Sequence, residues 1–336
     1  MKIEFRINYH TQWGERIYIT GNIPELGMGD LTKAVAMNYN APDNWALEIE
    51  VADTAKTDLE YKYIFKNENS GKIEEEWGAP RPLTIKKSVD KIMYIDAWNS
   101  VSDPSNNFLT APFVNVLLKS NYTPENGNGD IHFSHSFKVK APLLKKGEAV
   151  CIIGNCEELG NWDVNTPRLL NNKNFPEWSI NLNLSKAGEE IHYKYGIYDT
   201  KEKQFRYFEE GPDRIVPNKS GKMQVNITDT FIRTNNNGWR GAGVSIPVFS
   251  LRSNRSFGCG DFTDLKLMAD WASSAGLKLI QVLPLNDTIS THTGSDVLPY
   301  AAISAFALNP LFMDLDKLPI DPKSDIATEY KQLQPE

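Results

Sequence analysis

Trp13, Trp77 and Trp162 fall in turn or pre-strand segments of this 336-residue chain, and Lys62 and Lys194 each stand between two tyrosines. Such rings present flat apolar faces, and neighbouring Lys, Asp and Asn side chains supply hydrogen bonds around them. That is the chemistry of holding a neutral, hydroxyl-rich ligand, and sugars are the obvious class. Bond-making groups are sparser. Asp261 reads as a helix cap, Asp264 as a helix-surface residue and Asp287 as a loop residue. His132 and His135 lie three apart on an expected strand and so face opposite sides. Cys151 and Cys156 have no partner at ligand spacing. No metal and no cofactor is expected, and no Gly-x-x-x-x-Gly-Lys phosphate loop occurs.

Composition narrows the partners. Lys and Arg number 36 against 43 Asp and Glu, a formal net charge of −7, which disfavours nucleic acid and anionic membrane. Hydrophobic residues at 40% are enough for real cores, and the 11% aromatic content, with eight Trp, is either core or a flat binding surface for something neutral. No apolar run approaches the roughly 20 residues of a membrane span. Met1–Arg6 lacks the apolar stretch of a secretory signal. Three cysteines (Cys151, Cys156 and Cys259) form an odd, sparse set that fits a reducing compartment, so a cytoplasmic location is expected.

The elements that must carry the rings are strands. Ile3, Phe5, Ile7 and Tyr9 alternate with polar residues, as do Leu47, Ile49 and Val51, which is the half-buried strand pattern. Further strands are expected over Phe113–Leu118, His132–Val139, Trp178–Leu184 and Ile191–Tyr198. The two stretches repeat one another. Gly21-Asn22 recurs as Gly154-Asn155 and Trp45 as Trp178, both 133 residues on, and Tyr61-Lys62-Tyr63 recurs as Tyr193-Lys194-Tyr195 at 132. Two all-β immunoglobulin-like sandwiches are therefore expected, over 1–98 and 111–232, with the polar segment 99–110 as linker.

Gly154-Asn155, Leu159-Gly160-Asn161-Trp162-Asp163, Trp178 and Tyr193-Lys194-Tyr195 resemble a starch-binding domain of carbohydrate-binding module family 20, with 1–98 a more diverged copy. The resemblance implies two sugar sites per domain. In the second copy one would comprise Trp162, Lys194 and Tyr207, with Asp213 at the polar position beyond. In the first copy the matching turn reads Leu26-Gly27-Met28-Gly29-Asp30, without the Trp, leaving Trp77 and Lys62. The other kind of site would use Trp13 there, with Tyr39 and Trp45 as partners, whereas the second copy has Lys146 where Trp13 would be. Trp45 and Trp178 are equally readable as core, and Lys62 and Lys194 as plain solvated positions whose flanking tyrosines face inward. One site of a different kind per copy, joined by a short linker, would hold a long glucan by avidity.

Beyond Gly241 the pattern changes. Val244–Phe249 reads as a strand, Asp261 caps a helix that Gly276 stops, and Leu277–Leu285 is a near-continuous apolar strand of the parallel-sheet kind. Gly258-Cys259-Gly260-Asp261-Phe262, Gln281–Thr288 and Pro299–Pro310 resemble glycoside hydrolase family 77, the amylomaltases. The resemblance implies the first βαβ part of a (β/α)₈ TIM barrel over 233–336, with Tyr300 lining a substrate subsite. It also implies 4-α-glucanotransferase activity: glucosyl transfer between maltose or malto-oligosaccharides and glycogen- or starch-like glucans by a retaining double displacement. The family's carboxylates lie on later strands, and a barrel needs about 250 residues, so no catalytic residue is assigned here and the barrel is expected to be incomplete. The alternative is a non-catalytic protein that binds starch or glycogen.

Overall fold

The computed structural model describes residues 1–41, 43–51, 58–85, 88–118, 132–218, 222–234, 239–256, 258–288 and 299–319, with residues 325, 328, 329 and 332 beyond them. The first copy is built from β1 (Lys2–Asn8), β2 (Glu15–Gly21), β3 (Val35–Ala36), β4 (Asn38–Ala41) and β5 (Asn44–Glu50), followed by β6 (Leu59–Asn67), β7 (Ile73–Glu75), β8 (Arg81–Leu83) and β9 (Lys91–Ala97). The second repeats them as β10 (His135–Lys140), β11 (Glu148–Gly154), β12 (Arg168–Leu169), β13 (Asn171–Asn174) and β14 (Glu177–Leu182), then β15 (Glu190–Asp199), β16 (Gln204–Phe208), β17 (Arg214–Pro217) and β18 (Met223–Phe231). Alternation sets the layers: Ile3, Phe5 and Ile7 of β1 are at most 1% exposed, as are Phe137 and Val139 of β10.

The copies are not beads on a flexible connection. One eight-stranded sheet runs β13-β14-β10-β18-β9-β1-β5-β4, drawing half its strands from each copy. The junction is the parallel pair β18–β9, in register from Met223 opposite Lys91 to Thr228 opposite Asp96. Strand β9 is buried on both faces. Its Ile92 and Tyr94 enter the first core, while Met93 enters the second and Ile95 packs against it. Each copy then closes with its own smaller sheet, β3-β2-β6-β7 with β8 in the first and β12-β11-β15-β16 with β17 in the second.

The connecting segment is folded. Asp103 caps a short 3₁₀ turn, Pro104–Leu109, and Asn106 is buried with its Nδ2 donating to the Ser100 carbonyl at 2.8 Å. The strand expected over Phe113–Leu118 is instead a π-helical turn, Phe113–Leu117. Its backbone bonds close locally, Leu118 N to Phe113 O at 2.7 Å, and Val116 is 74% exposed, so this apolar run builds no sheet.

Residues 237–336 form a separate compact unit. Within it β19 (Gly243–Ile246) pairs in parallel with β20 (Leu279–Val282), with α1 (Phe262–Ser274) between them in sequence. Asp261 caps α1, accepting from Thr263 N at 2.7 Å and Asp264 N at 2.8 Å. Asp264 is not on the helix surface. It is 3% exposed and returns a bond to Asp261 N, completing a capping box. Strand β20 is not buried on both faces, and Leu279 is 45% exposed.

Candidate glucan-binding sites

The paired tyrosines flank an outward lysine because they point the other way. The hydroxyls of Tyr61 and Tyr63 donate to Asp96 Oδ2 at 2.7 and 2.9 Å, and Arg81 joins Asp96 to Glu76. The second copy repeats this with Tyr193, Tyr195, Asp229, Arg214 and Glu209. Burial opposes ionisation of Glu209, but Arg214 and Arg233 outweigh it and hold the carboxyl at about 2. This buried ionic knot orients β6 and β15, so Lys62 and Lys194 stand on the opposite, outward face.

Gly154-Asn155 is likewise architectural. A Cβ at Gly154 would lie 2.5 Å from the His192 carbonyl, and Asn155 clasps the same strand through His192 N and Glu190 O. The following turn projects Trp162. Leu159 anchors it in the core, and Gly160, Asn161 and Trp162 all take left-handed conformations, with φ of 76°, 47° and 63°. A tryptophan held there is strained. Its half-buried ring meets Phe208 edge-on with centroids 6.3 Å apart, and Phe205 lies 4.6 Å from Phe208. Phe208 pairs with Gly196, which puts its ring on the outward face that carries Lys194. Lys194 Nζ stands 3.9 Å from Asp213. The cluster therefore offers a wall of rings with an ammonium and a carboxylate beside it.

Tyr207 is not in this wall. It pairs with Ile197, whose side chain is fully buried, and so lies on the opposite face of the strand, 44% exposed. Phe208, one step along the strand, takes that place; its phase is set by the β15–β16 register and the bulge beside it, which nothing in the local sequence announces.

The first copy lacks each part of this wall. Gly29 stands where Trp162 does, Ile64 where Gly196 does, and Glu75 where Phe208 does, bound to Lys62 Nζ at 3.0 Å. Trp77 does not complete a site with Lys62. It lies two residues past Glu75, held between the copies by hydrogen bonds in both directions with Asn99. The first copy instead exposes Trp13 (95%) in the β1–β2 turn and Tyr39 (55%) on β4. Asp43 fixes the Tyr39 side, accepting His10 Nδ1 at 2.8 Å through its carboxylate and donating its N–H to the Tyr39 hydroxyl at 3.3 Å, while Asn69 Nδ2 holds the Trp13 carbonyl at 3.1 Å. Trp45 is 5% exposed and backs Tyr39 edge-on at 5.3 Å, a support and not a platform. Trp178 is fully buried with its Nε1 donating to Ala141 O, so it belongs to the core. The second copy has Lys146 and the buried Asn172 where Trp13 and Tyr39 stand.

Tyr300 is 69% exposed in the C-terminal unit, and residues 294–298 before it lie outside the described residues. His135 is buried, with burial pulling its imidazole down to about 4, and no group of His, Cys, Asp and Glu suited to a metal occurs among the described residues.

Comparison with known families and proteins matches these units. The starch binding domain model matches residues 1–93 and 133–228, together more than half of the chain, and the 4-alpha-glucanotransferase model matches 246–336. A 4-alpha-glucanotransferase of Oryza sativa subsp. japonica is 31% identical over 98% of this chain and 36% of its own length. One from Chlamydia pneumoniae is 41% identical over 27% of this chain and 16% of its own. The chain thus spans about a third of the length of the rice relative. Among solved structures, a family 20 carbohydrate-binding module of the maltotetraose-forming amylase from Pseudomonas saccharophila STB07 is 22% identical. It covers 28% of this chain and 97% of that one, with a TM-score of 0.23.

Proposed function

The chain belongs to the starch-binding domain family, and from that premise we propose that its tandem copies hold α-1,4-glucans for a 4-α-glucanotransferase reaction. The observation that carries the binding half is the outward wall of Trp162 and Phe208 beside Lys194 and Asp213. A strained, left-handed tryptophan is retained where glycine would sit without strain, as Gly29 does in the sister turn. Trp13 with Tyr39 forms a second platform of different construction. A maltose, malto-oligosaccharide, glycogen or starch chain offers C–H faces to such rings and hydroxyls to their polar neighbours. The residues proposed to touch glucan are therefore Trp13, Tyr39, Trp162, Phe208, Lys194 and Asp213.

The reaction rests on the C-terminal unit. Parallel β19 and β20 joined through α1 support a reading as the opening of a (β/α)₈ barrel, with the exposed Tyr300 as a sugar-stacking residue. Glucosyl transfer would be a double displacement through a covalent glucosyl–enzyme. None of its carboxylates is assigned to these residues, and this chain's proposed share is to hold glucan. A cytoplasmic location is part of the same reading and is supported by three free cysteines, of which Cys151 is buried with its thiol pushed up to about 12.

The test of binding is co-sedimentation with insoluble starch. The chain should pellet and be released by soluble β-cyclodextrin; a folded chain that stays in the supernatant would contradict the proposal. The catalytic half is tested on the protein containing this chain, by release of free glucose from maltose in the presence of glycogen.

A further inference from the structure

The shared sheet creates a feature that neither copy has alone. A groove of about 720 Å³ lies between the copies, within the roughly 300–1,000 Å³ of small-ligand sites. Its floor is the non-core face of β10, β14 and β18, where Lys138, Ser179, Asn181, Gln224, Asn226 and Thr228 alternate with the buried apolar residues. Asn226 pairs across the junction with Tyr94 of β9, so the floor runs up to the first copy. The wall there is Trp77 with Pro80 and Pro82.

Three features separate this groove from ordinary solvated sheet. Gln224 is 4% exposed, yet its Oε1 is buried without a hydrogen-bond partner, and so is Asn226 Nδ2. The two amides satisfy only each other, Gln224 Nε2 donating to Asn226 Oδ1 at 3.0 Å. An unpaired buried amide is costly, so the floor holds one unsatisfied acceptor and one unsatisfied donor just below its surface, which a side-chain turn brings to an occupant. By contrast, the outer face of the first copy's half of the sheet is closed by ion pairs, Lys91 binding both Glu4 and Glu48. The charges in the groove are mostly cancelled as well, apart from Lys140, whose ammonium lies over the Phe231 ring. Lys138 lies 3.4 Å from Glu177, and Arg81 is held by Glu76 and Asp96. Paired charges give a phosphate or carboxylate ligand little hold, whereas hydroxyls both donate and accept.

We infer that this inter-copy groove is a third glucan site, taking a linear α-glucan segment with Trp77 against a sugar face and Gln224 and Asn226 on its hydroxyls. The inference rests on the reading that the tandem copies bind glucan, and it adds a site that exists only because β9 and β18 pair. A linear chain enters a groove lengthwise, while a closed cyclodextrin ring suits an isolated projecting platform.

The experiment titrates a Trp13→Ala/Trp162→Ala double variant of the full chain with maltoheptaose and, separately, with β-cyclodextrin by calorimetry. The expected result is loss of β-cyclodextrin binding with maltoheptaose binding retained. Adding Trp77→Ala, or Asn226→Leu as an independent change, should then weaken the retained binding about tenfold or more, with circular dichroism confirming the fold. Loss of both ligands together in the double variant overturns the groove and leaves the two platforms standing. Retained binding that neither Trp77→Ala nor Asn226→Leu weakens overturns it too. An unmutated chain that binds neither sugar overturns the glucan-binding reading itself.

Discussion

Gly29 and Trp162 hold the same left-handed position in two copies of one turn, at φ of 79° and 63°. A Cβ at Gly29 meets nothing within 4 Å, so the turn has room for a ring that the first copy does not use. Gly29→Trp should cost about 1–2 kcal/mol in the left-handed conformation. It should add little binding alone, because Glu75 still occupies Lys62 at 3.0 Å. Gly29→Trp with Glu75→Phe is expected to add one β-cyclodextrin site, read as stoichiometry by calorimetry.

Trp162 and Trp178 separate binding from packing. Trp178 is fully buried with a hydrogen-bonded Nε1, so Trp178→Ala should cost about 3–5 kcal/mol. Trp162→Ala, at a half-buried and strained turn position, should change stability by only about 0.5 kcal/mol while weakening glucan binding. Denaturant melts of the two variants beside the parent chain decide this; equal losses would contradict the assignment of Trp178 to the core.

The buried ionic knot should be costly to break from one side. Arg214 binds Glu209 through two nitrogens at 2.7 and 2.8 Å and Asp229 at 2.6 Å. Arg214→Met leaves those carboxylates buried without it, and a loss of about 3–5 kcal/mol is expected in a urea melt.

His135 gives the second copy a pH dependence. Its imidazole is pulled from 6.5 down to about 4 by burial. At pH 7 it is neutral in folded and unfolded chains alike. Between these values only the unfolded chain takes up the proton, so stability falls as pH is lowered through that window and levels off below it. The loss is roughly 3 kcal/mol at most. The contribution of Glu209, held at about 2 against an ordinary 4.5, is present above 4.5 and is lost only at lower pH. His135→Gln should therefore flatten the melting temperature between pH 6.5 and 4.5 and leave the acid limb below it.

Much of this was legible in the sequence, and the failures have physical causes. The repeat, the strand alternation and the Asp261 cap all follow from local chemistry, and each is where the residues place it. Pairing is not local. Nothing in Lys91–Ala97 announces that both of its faces will be buried, and so the β9–β18 pairing that joins the copies was not among the expectations, which held only a polar linker over 99–110. Trp178 and Trp162 are the same residue type a few positions from turns, and only neighbours distant in sequence make one core and the other surface. Tyr207 and Phe208 differ by a single step of strand phase. The groove amides, ordinary polar strand residues by sequence, gain meaning only once two copies share a sheet.

The proposed glucan platforms, one per copy and different in kind, can be counted in a single experiment. That experiment is calorimetric titration of the chain with β-cyclodextrin, beside its Trp13→Ala and Trp162→Ala variants. Two sites are expected in the unmutated chain, with each substitution removing a different one and the double variant silent. A folded parent that gives no heat at millimolar sugar, or variants that bind as the parent does, would contradict it.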